Sequence, residues 1–385
     1  MPSNRLLSIR VSMLVLAGFA VGCGPIAADP GSASPPAAGA MAAPTIEEHI
    51  APYRARFGRK RPVIAIVGVN SGTELTDYVI PYGVLRQADV AEVVAVSTAA
   101  GPMTMRPALR VKAGATIAEF DARFPDGADY VVVPAVVQRA DPVLLGWVRA
   151  QASKGGTLVS ICDGALVLAA SGVLDGHRAT AHWATDGYRR KTYPQVRWVE
   201  DRRYVADGKV VSSAGISAAI PTSLALVEAV AGHERAAEIA AEIGAHDWSP
   251  VHDSRSFHPR LGRNLSAFAA TQYLNGWFHR PQTIGIPVSA GTDEIALALA
   301  ADAYTRSGRA HVFAVGSAGT SIETRHGLVV LPDRTQTGPG GLTVEIAADR
   351  PVLTLDRVLA DIAHRYGRRT AYGVALDLEY PAFHG

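Results

Sequence analysis

The stretch TLVSICDGALVLAAS, residues 157–171, decides the fold. Five residues of strand character run into Cys162-Asp163-Gly164, and an apolar helical run follows. A buried strand that turns abruptly into a helix, with glycine beside the turn, has the form of a nucleophile elbow, which lifts one side chain above the sheet edge. The side chain lifted here is a thiol. Unpaired N–H groups at a helix N-terminus stabilise a thiolate, so the position predicts a lowered pKa and a reactive Cys162. A small buried core residue is the alternative for any single cysteine.

Working outward, RPVIAIVGVN (61–70), VAEVVAVST (90–98) and DYVVVPA (129–135) are continuous apolar runs, the pattern of parallel strands buried on both faces. ELTDYVIPYGVLRQA (74–88) has helical spacing, and PALRVKAG (107–114) reads as a short strand. DPVLLGWVRAQASKGG (141–156) is a helix with Asp141 as cap, Pro142 at its first position and Gly155 as its stop. ATAHW (179–183) reads as a strand, and RYVADGKVVSSAG (203–215) as a hairpin turning on Asp207-Gly208. Helices from Ile216 to Gly232 and on to Gly244 close the unit, and TIEEHIAPYRARFG (45–58) suggests a leading helix. Strands alternating with helices predict an α/β fold with a mainly parallel sheet covered on both sides.

Residues 246–282 lose this periodicity and read as a connecting segment. Residues 283–385 then repeat the opening order of strand, Gly-Thr-acid, helix, strand, Gly turn, strand. Offset by 219 positions, Gly72-Thr73 falls on Gly291-Thr292, and Leu109 and Val111 fall on Leu328 and Val330. The pattern predicts a partial second copy of the same α/β unit, with chance likeness of two β-α-β units as the alternative. It lacks a cysteine and cannot carry the same chemistry.

The chain has 385 residues, 48% hydrophobic and 19% charged, with a formal net charge of +2. That charge is too small to argue for nucleic acid or an anionic membrane as a partner, and a membrane is expected only through a lipid anchor. Residues 1–23 have the layout of a lipoprotein-type export signal: Arg5 and Arg10, an apolar run from Val11 to Val21, then AVGC ending at Cys23. Lipidation at Cys23 would tether the protein to the cell envelope, facing the periplasm or exterior; a secreted protein is the alternative. Residues 24–44 are Ala, Pro, Gly and Ser, a flexible tether. Cys162 is then the one thiol left, so no disulfide forms within the mature chain. His246, His252 and His258 recur every six residues, which suits no helical metal pair, and no metal is expected. GPGG (338–341) is a turn, and Arg189, Arg190 and Lys191 read as a solvated face.

The segments SICDGALVLAASGVLDGHRATAHW (160–183), GTELTDYVIPYGVL (72–85) and SSAGISAAIPTSLALVEAVAG (212–232) resemble the ThiJ/PfpI superfamily of class I glutamine amidotransferase-like domains. The likeness is greatest to the branch holding isocyanide hydratase and the amidase-like sensor domains of AraC-type regulators. It covers about residues 60–245, within a domain drawn at 45–245. The resemblance implies a flavodoxin-like three-layer sandwich and, commonly, a homodimer. It places the elbow cysteine at Cys162, an acid that touches the thiol at Asp77, and a histidine at His182. Asp77 is otherwise a helix-start carboxylate, and His182 is either a base or proton shuttle or a hydrogen-bonded pocket wall. Where the family usually has a Gly-Gly pair, this chain has Pro134-Ala135-Val136-Val137, so oxyanion donors would come from the backbone of Ala135 and Val136 and from Asp163. Asp163 stands where a small hydroxyl residue is common.

Three functions fit: a cofactor-free cysteine hydratase, hydrolase or lyase acting on a small electrophile; a small-molecule sensor or binding module without turnover; and a redox or stress protein oxidised at Cys162.

Overall fold

Strand Val63–Gly68 is buried at every position because it runs through the middle of a sheet. It pairs in parallel with Glu92–Ser97 on one side and Tyr130–Val133 on the other. Thr157–Ser160 and then Val210–Ser213 continue the parallel order past Tyr130–Val133. Tyr204–Asp207 closes that edge as the outer strand of an antiparallel hairpin, and Ala115–Thr116 closes the other. The structure, a computed structural model, describes residues 48–317, 320–347 and 349–383. The expected signal, the tether, Cys23 and the start of the expected leading helix lie outside the described residues.

Alternation along each strand splits the core in two. Ile64, Ile66, Val93, Val132 and Val159 point to one face and pack against helices Leu75–Ala88 and Ala219–Ala231. Val63, Ala65, Val67, Val131 and Val133 point to the other, against Pro142–Ser153 and Gly164–Ala170. The domain is thus a flavodoxin-like α/β sandwich with a mainly parallel sheet.

An additional α/β region follows. Strand Gln282–Pro287 pairs in parallel with Ala310–Val315 and Leu342–Thr343, and helix Glu294–Arg306 connects the first two. This helix packs on Leu75–Ala88, its counterpart at the 219-residue offset. The helices approach so closely that a Cβ on Gly83 would lie 2.6 Å from Ile295 Cγ1. The offset also relates residues that touch. Val111 pairs antiparallel with Val330, and Lys112 pairs with Val329. Leu331 N–H donates to Arg110 O at 2.9 Å. Position i meeting its own counterpart, with its neighbours exchanged symmetrically about it, is the pattern of an isologous two-fold contact, here made within one chain.

Three local expectations change. From Glu48 to Arg56 the chain is not helical. Pro52 removes a helical donor, and the buried Glu48 carboxylate accepts from Arg178 and from Ala206 N–H, which ties the segment to the sheet edge. The strand expected at 179–183 is confined to Arg178–Ala179, because Thr180 N–H goes to Ser212 Oγ at 2.8 Å and Trp183–Thr185 forms a 3₁₀ turn. Within 246–282, residues 265–278 are helical, with one widened turn at Ala270–Leu274. Apolar residues on both the inner and the outer face hide the helical period there.

Ile295, fully buried between the two repeated helices, tests how far the units depend on each other. Ile295→Ala should lower the urea-unfolding free energy by about 2–5 kcal/mol with an unchanged denaturant slope. A loss under about 1 kcal/mol would show that the interface adapts without cost.

Candidate functional site

The elbow is built by three backbone constraints. Ile161 N–H donates to Val133 O at 3.0 Å and ends the strand. Cys162 then takes a left-handed conformation, φ 56°, unusual for a residue with a side chain. Its N–H is held by Ser213 Oγ at 3.1 Å. At Gly164 a Cβ would sit 2.0 Å from Val133 O, so only glycine lets the chain turn back against the neighbouring strand. Strain of this kind persists where the surrounding structure over-determines it.

The electrostatics reverse the expected direction of the thiol. Burial pushes Cys162 well up, and the charges of Asp77, Asp163 and Glu74 push the same way. The Asp163 backbone N–H donates to the sulfur and offsets part of this. The helix that follows the elbow is only seven residues long, and its start lies among carboxylates. Charge and desolvation therefore outweigh the helix terminus.

Asp77 is the carboxyl with the largest charge effect on the thiol. It is fully buried in the first turn of helix Leu75–Ala88. Oδ2 accepts from Ala135 N–H at 3.1 Å, while Oδ1 is buried with no hydrogen-bond partner among the described residues. Burial raises the Asp77 pKa well above the carboxylate range; the Ala135 N–H and Arg306 oppose this, and Asp302 and Asp163 add to it. The shift favours the neutral carboxyl, and Oδ1 is the oxygen left without a partner. A neutral Asp77 no longer repels a thiolate, so the titrations of the two groups are linked.

The expected oxyanion donors divide. Ala135 N–H is committed to Asp77, and its carbonyl accepts from Glu74 N–H at 2.8 Å. Val136 forms an antiparallel bridge with Thr73, so Pro134–Val137 is pinned to the Gly72–Glu74 turn. Asp163 supplies a backbone donor at the sulfur, while its carboxylate does not cap the helix but accepts from Thr185 Oγ1 at 2.7 Å.

His182 is buried beside this cluster with both ring nitrogens engaged. Nδ1 accepts from Ala184 N–H at 3.2 Å, which leaves the ring proton on Nε2, 2.9 Å from the Asp377 carbonyl that accepts it. A neutral ring held this way has no lone pair free for a substrate proton. Arg189, expected on a solvated face, is buried and donates to His182 O at 2.6 Å, so it braces the same turn.

Five further groups matter that sequence reading did not single out. Arg306, from the C-terminal region, is a partly buried cation that reaches Glu74, Asp302 and Asp377. Thr76 Oγ1 donates to Asp302 Oδ2 at 2.9 Å. Burial raises both Glu74 and Asp302, and Arg306 opposes the rise in each. One arginine among four carboxylates cannot balance them all, which adds to the burial that raises Glu74, Asp77 and Asp302. The only signal in the sequence was the repeated Gly-Thr-acid pattern that contains Glu74; nothing local marks Arg306, 232 positions away. No group of three or more His, Cys, Asp or Glu with metal-binding geometry occurs among the described residues.

The sequence profile of the DJ-1/PfpI family matches residues 63–229. The HTH-type transcriptional regulator CdhR of Pseudomonas aeruginosa is 37% identical over 98 residues, 26% of this chain and 29% of that protein. Isonitrile hydratase of Pseudomonas putida is 35% identical over 97 residues, 25% of this chain and 41% of that protein. The chain thus spans well under half the length of these two relatives. The crystal structure of Drosophila melanogaster DJ-1beta superposes with a TM-score of 0.44 at 22% identity, over 49% of this chain and all of that one. With the sheet order, the left-handed Cys162 and the profile match in agreement, residues 63–229 are a DJ-1/PfpI family domain.

Proposed function

We propose that this protein is a cofactor-free cysteine enzyme that adds water to a small carbon electrophile, with Cys162 as nucleophile and Asp77 as proton donor. The observation that carries the reading is the unpartnered Oδ1 of the buried Asp77, a carboxyl pushed well up by burial, beside a strained elbow thiol. The family domain and the likeness to an isonitrile hydratase support it. For an isocyanide, the sulfur bonds to the terminal carbon as the Cys162 proton is lost, and the Asp77 proton goes to the substrate; the thiol proton restores Asp77. Water then adds to the thioimidate carbon, the C–S bond breaks, and a proton returns to sulfur. The sum is isocyanide plus water giving an N-substituted formamide, with no electron transferred. His182 is a wall of this site, and Asp163 contributes its N–H.

A second reading, a ligand-binding module without turnover, is favoured by the raised thiol pKa, which keeps Cys162 protonated in the empty site. The same raised pKa disfavours peroxide sensing, which needs a thiolate. We further propose that Cys23 is lipidated and holds the protein at the cell envelope. Incorporation of an alkynyl fatty acid in cells, lost in Cys23→Ser, is the expected result; label retained by that variant would contradict it.

With a small alkyl isocyanide as probe and formamide as readout, Cys162→Ala should abolish turnover with the fold intact. Asp77→Asn can keep the Ala135 contact but has no acid proton, so kcat should fall about 10²–10⁴-fold. Neutral-pH alkylation of Cys162 should change only a few-fold in that variant. The stability profile gives an independent sign: a carboxyl raised by folding is most favourable at low pH, and wild-type stability should fall as pH rises through its folded pKa. Asp77→Asn should flatten that fall. Formamide production undiminished in Asp77→Asn would remove Asp77 from the mechanism; ligand binding without product in the wild type would select the binding module.

A further inference from the structure

Between Asp253 and Asp293 the chain contains no acidic residue, while it carries Arg255, Arg260, Arg263 and Arg280. The same segment holds the largest run of exposed apolar side chains: Leu261 is 89% exposed, Trp277 74% and Phe278 73%, with Tyr273, Leu265 and Leu274 also exposed. Tyr273 and Trp277 lie one helical turn apart with ring centroids 5.7 Å from each other. This is not a loosely placed helix that could roll its aromatics inward. Its opposite face, Ala267, Phe268, Thr271 and Asn275, is buried. Asn275 Nδ2 donates to Ser307 O at 2.7 Å, and Phe268 packs on Trp183 at 5.1 Å. The inner face is locked, so the outer face stays presented.

We propose that residues 261–280 are the face by which this protein lies on an anionic lipid bilayer. Arg260, Arg263 and Arg280 are exposed around the apolar side chains, and no carboxylate in the segment opposes a negative surface. Trp and Tyr favour the headgroup depth, where an amphipathic ring has one end apolar and the other wet. Leu and Phe reach the acyl boundary, and arginine meets phosphate. A polar protein partner would leave this apolar area exposed to water, and a second copy would bring four arginines against four. No described helix is long and apolar enough to cross a membrane, so the contact is one of lying on the surface. It is separate from the proposed Cys23 anchor.

The test uses the full chain and vesicles of phosphatidylglycerol with acyl-brominated phosphatidylcholine, read by tryptophan quenching. The chain has five tryptophans. Trp147 is buried, and Trp183, Trp198 and Trp248 are partly buried with their indole N–H groups bonded to protein acceptors. Trp277 is thus the ring available to bromine. The expected result is strong quenching on anionic vesicles, largely lost in Trp277→Phe although vesicle binding persists. Removing Arg260, Arg263 and Arg280 by substitution with Gln should weaken vesicle affinity by about fivefold each, and added salt should do the same. The proposal is overturned if bound protein shows no Trp277 quenching, or if affinity ignores the arginine substitutions. It is equally overturned if Trp277 is instead covered in a dimer that Trp277→Ala dissociates.

Discussion

Everything at this site depends on a shortage of positive charge. Glu74, Asp77, Asp302 and Asp377 surround one partly buried guanidinium, Arg306, and burial makes an uncompensated charge on Asp77 or Asp302 expensive. Protons are the remaining means of neutralisation, and they settle where no donor stabilises the anion. Asp77 has one such donor, Ala135 N–H, and one oxygen with none. The same desolvation that raises Asp77 raises Cys162, so the proposed acid and nucleophile respond to one environment. A carboxylate kept neutral at working pH can donate a proton, the role a hydration step needs.

The arginine comes from the other half of the chain. The repeated helices Leu75–Ala88 and Glu294–Arg306 pack together, and each sends an arginine from its last turn across the interface. Arg306 reaches Glu74 in the first unit, and Arg86 Nε donates to His326 O at 2.9 Å in the second. The contact is therefore reciprocal, as in a two-fold dimer, but its two sides have diverged. Near the first, a strand carries Cys162; the second copy has no cysteine, and its helix start is closed by ion pairs of Arg325 with Asp293 and His326 with Glu294. The C-terminal region thus acts as a built-in partner that supplies the one arginine of the cluster together with two of its carboxylates, Asp302 and Asp377.

Much of this was legible because the signals are local. The elbow shows in a buried strand, a cysteine and a glycine within eight residues, and the parallel sheet shows in the apolar runs at 63–68, 92–97 and 130–133. The additional α/β region showed through its strand and helix pattern, and positions related by the 219-residue offset, Val111 and Val330, pair directly. What failed to show was set by contacts distant in sequence. Glu48 is drawn from a helix by Arg178, and His182 loses its free nitrogens to Ala184 and to Asp377, far along the chain. The thiol pKa was expected to fall because a helix terminus is visible in sequence; Asp77 and Asp163 were visible too, but not the burial that dominates the shift, nor the approach of Glu74.

The central claim is that Asp77 is a neutral acid at working pH. The most direct measurement is an infrared difference spectrum at neutral pH between the wild type and Asp77→Asn. The account predicts that the wild type contributes the C=O stretch of one protonated carboxylic acid, absent from the variant. If the difference shows only the symmetric and antisymmetric bands of a carboxylate, Asp77 is ionised, the thiol faces an anion, and the proposed acid–nucleophile pair does not exist.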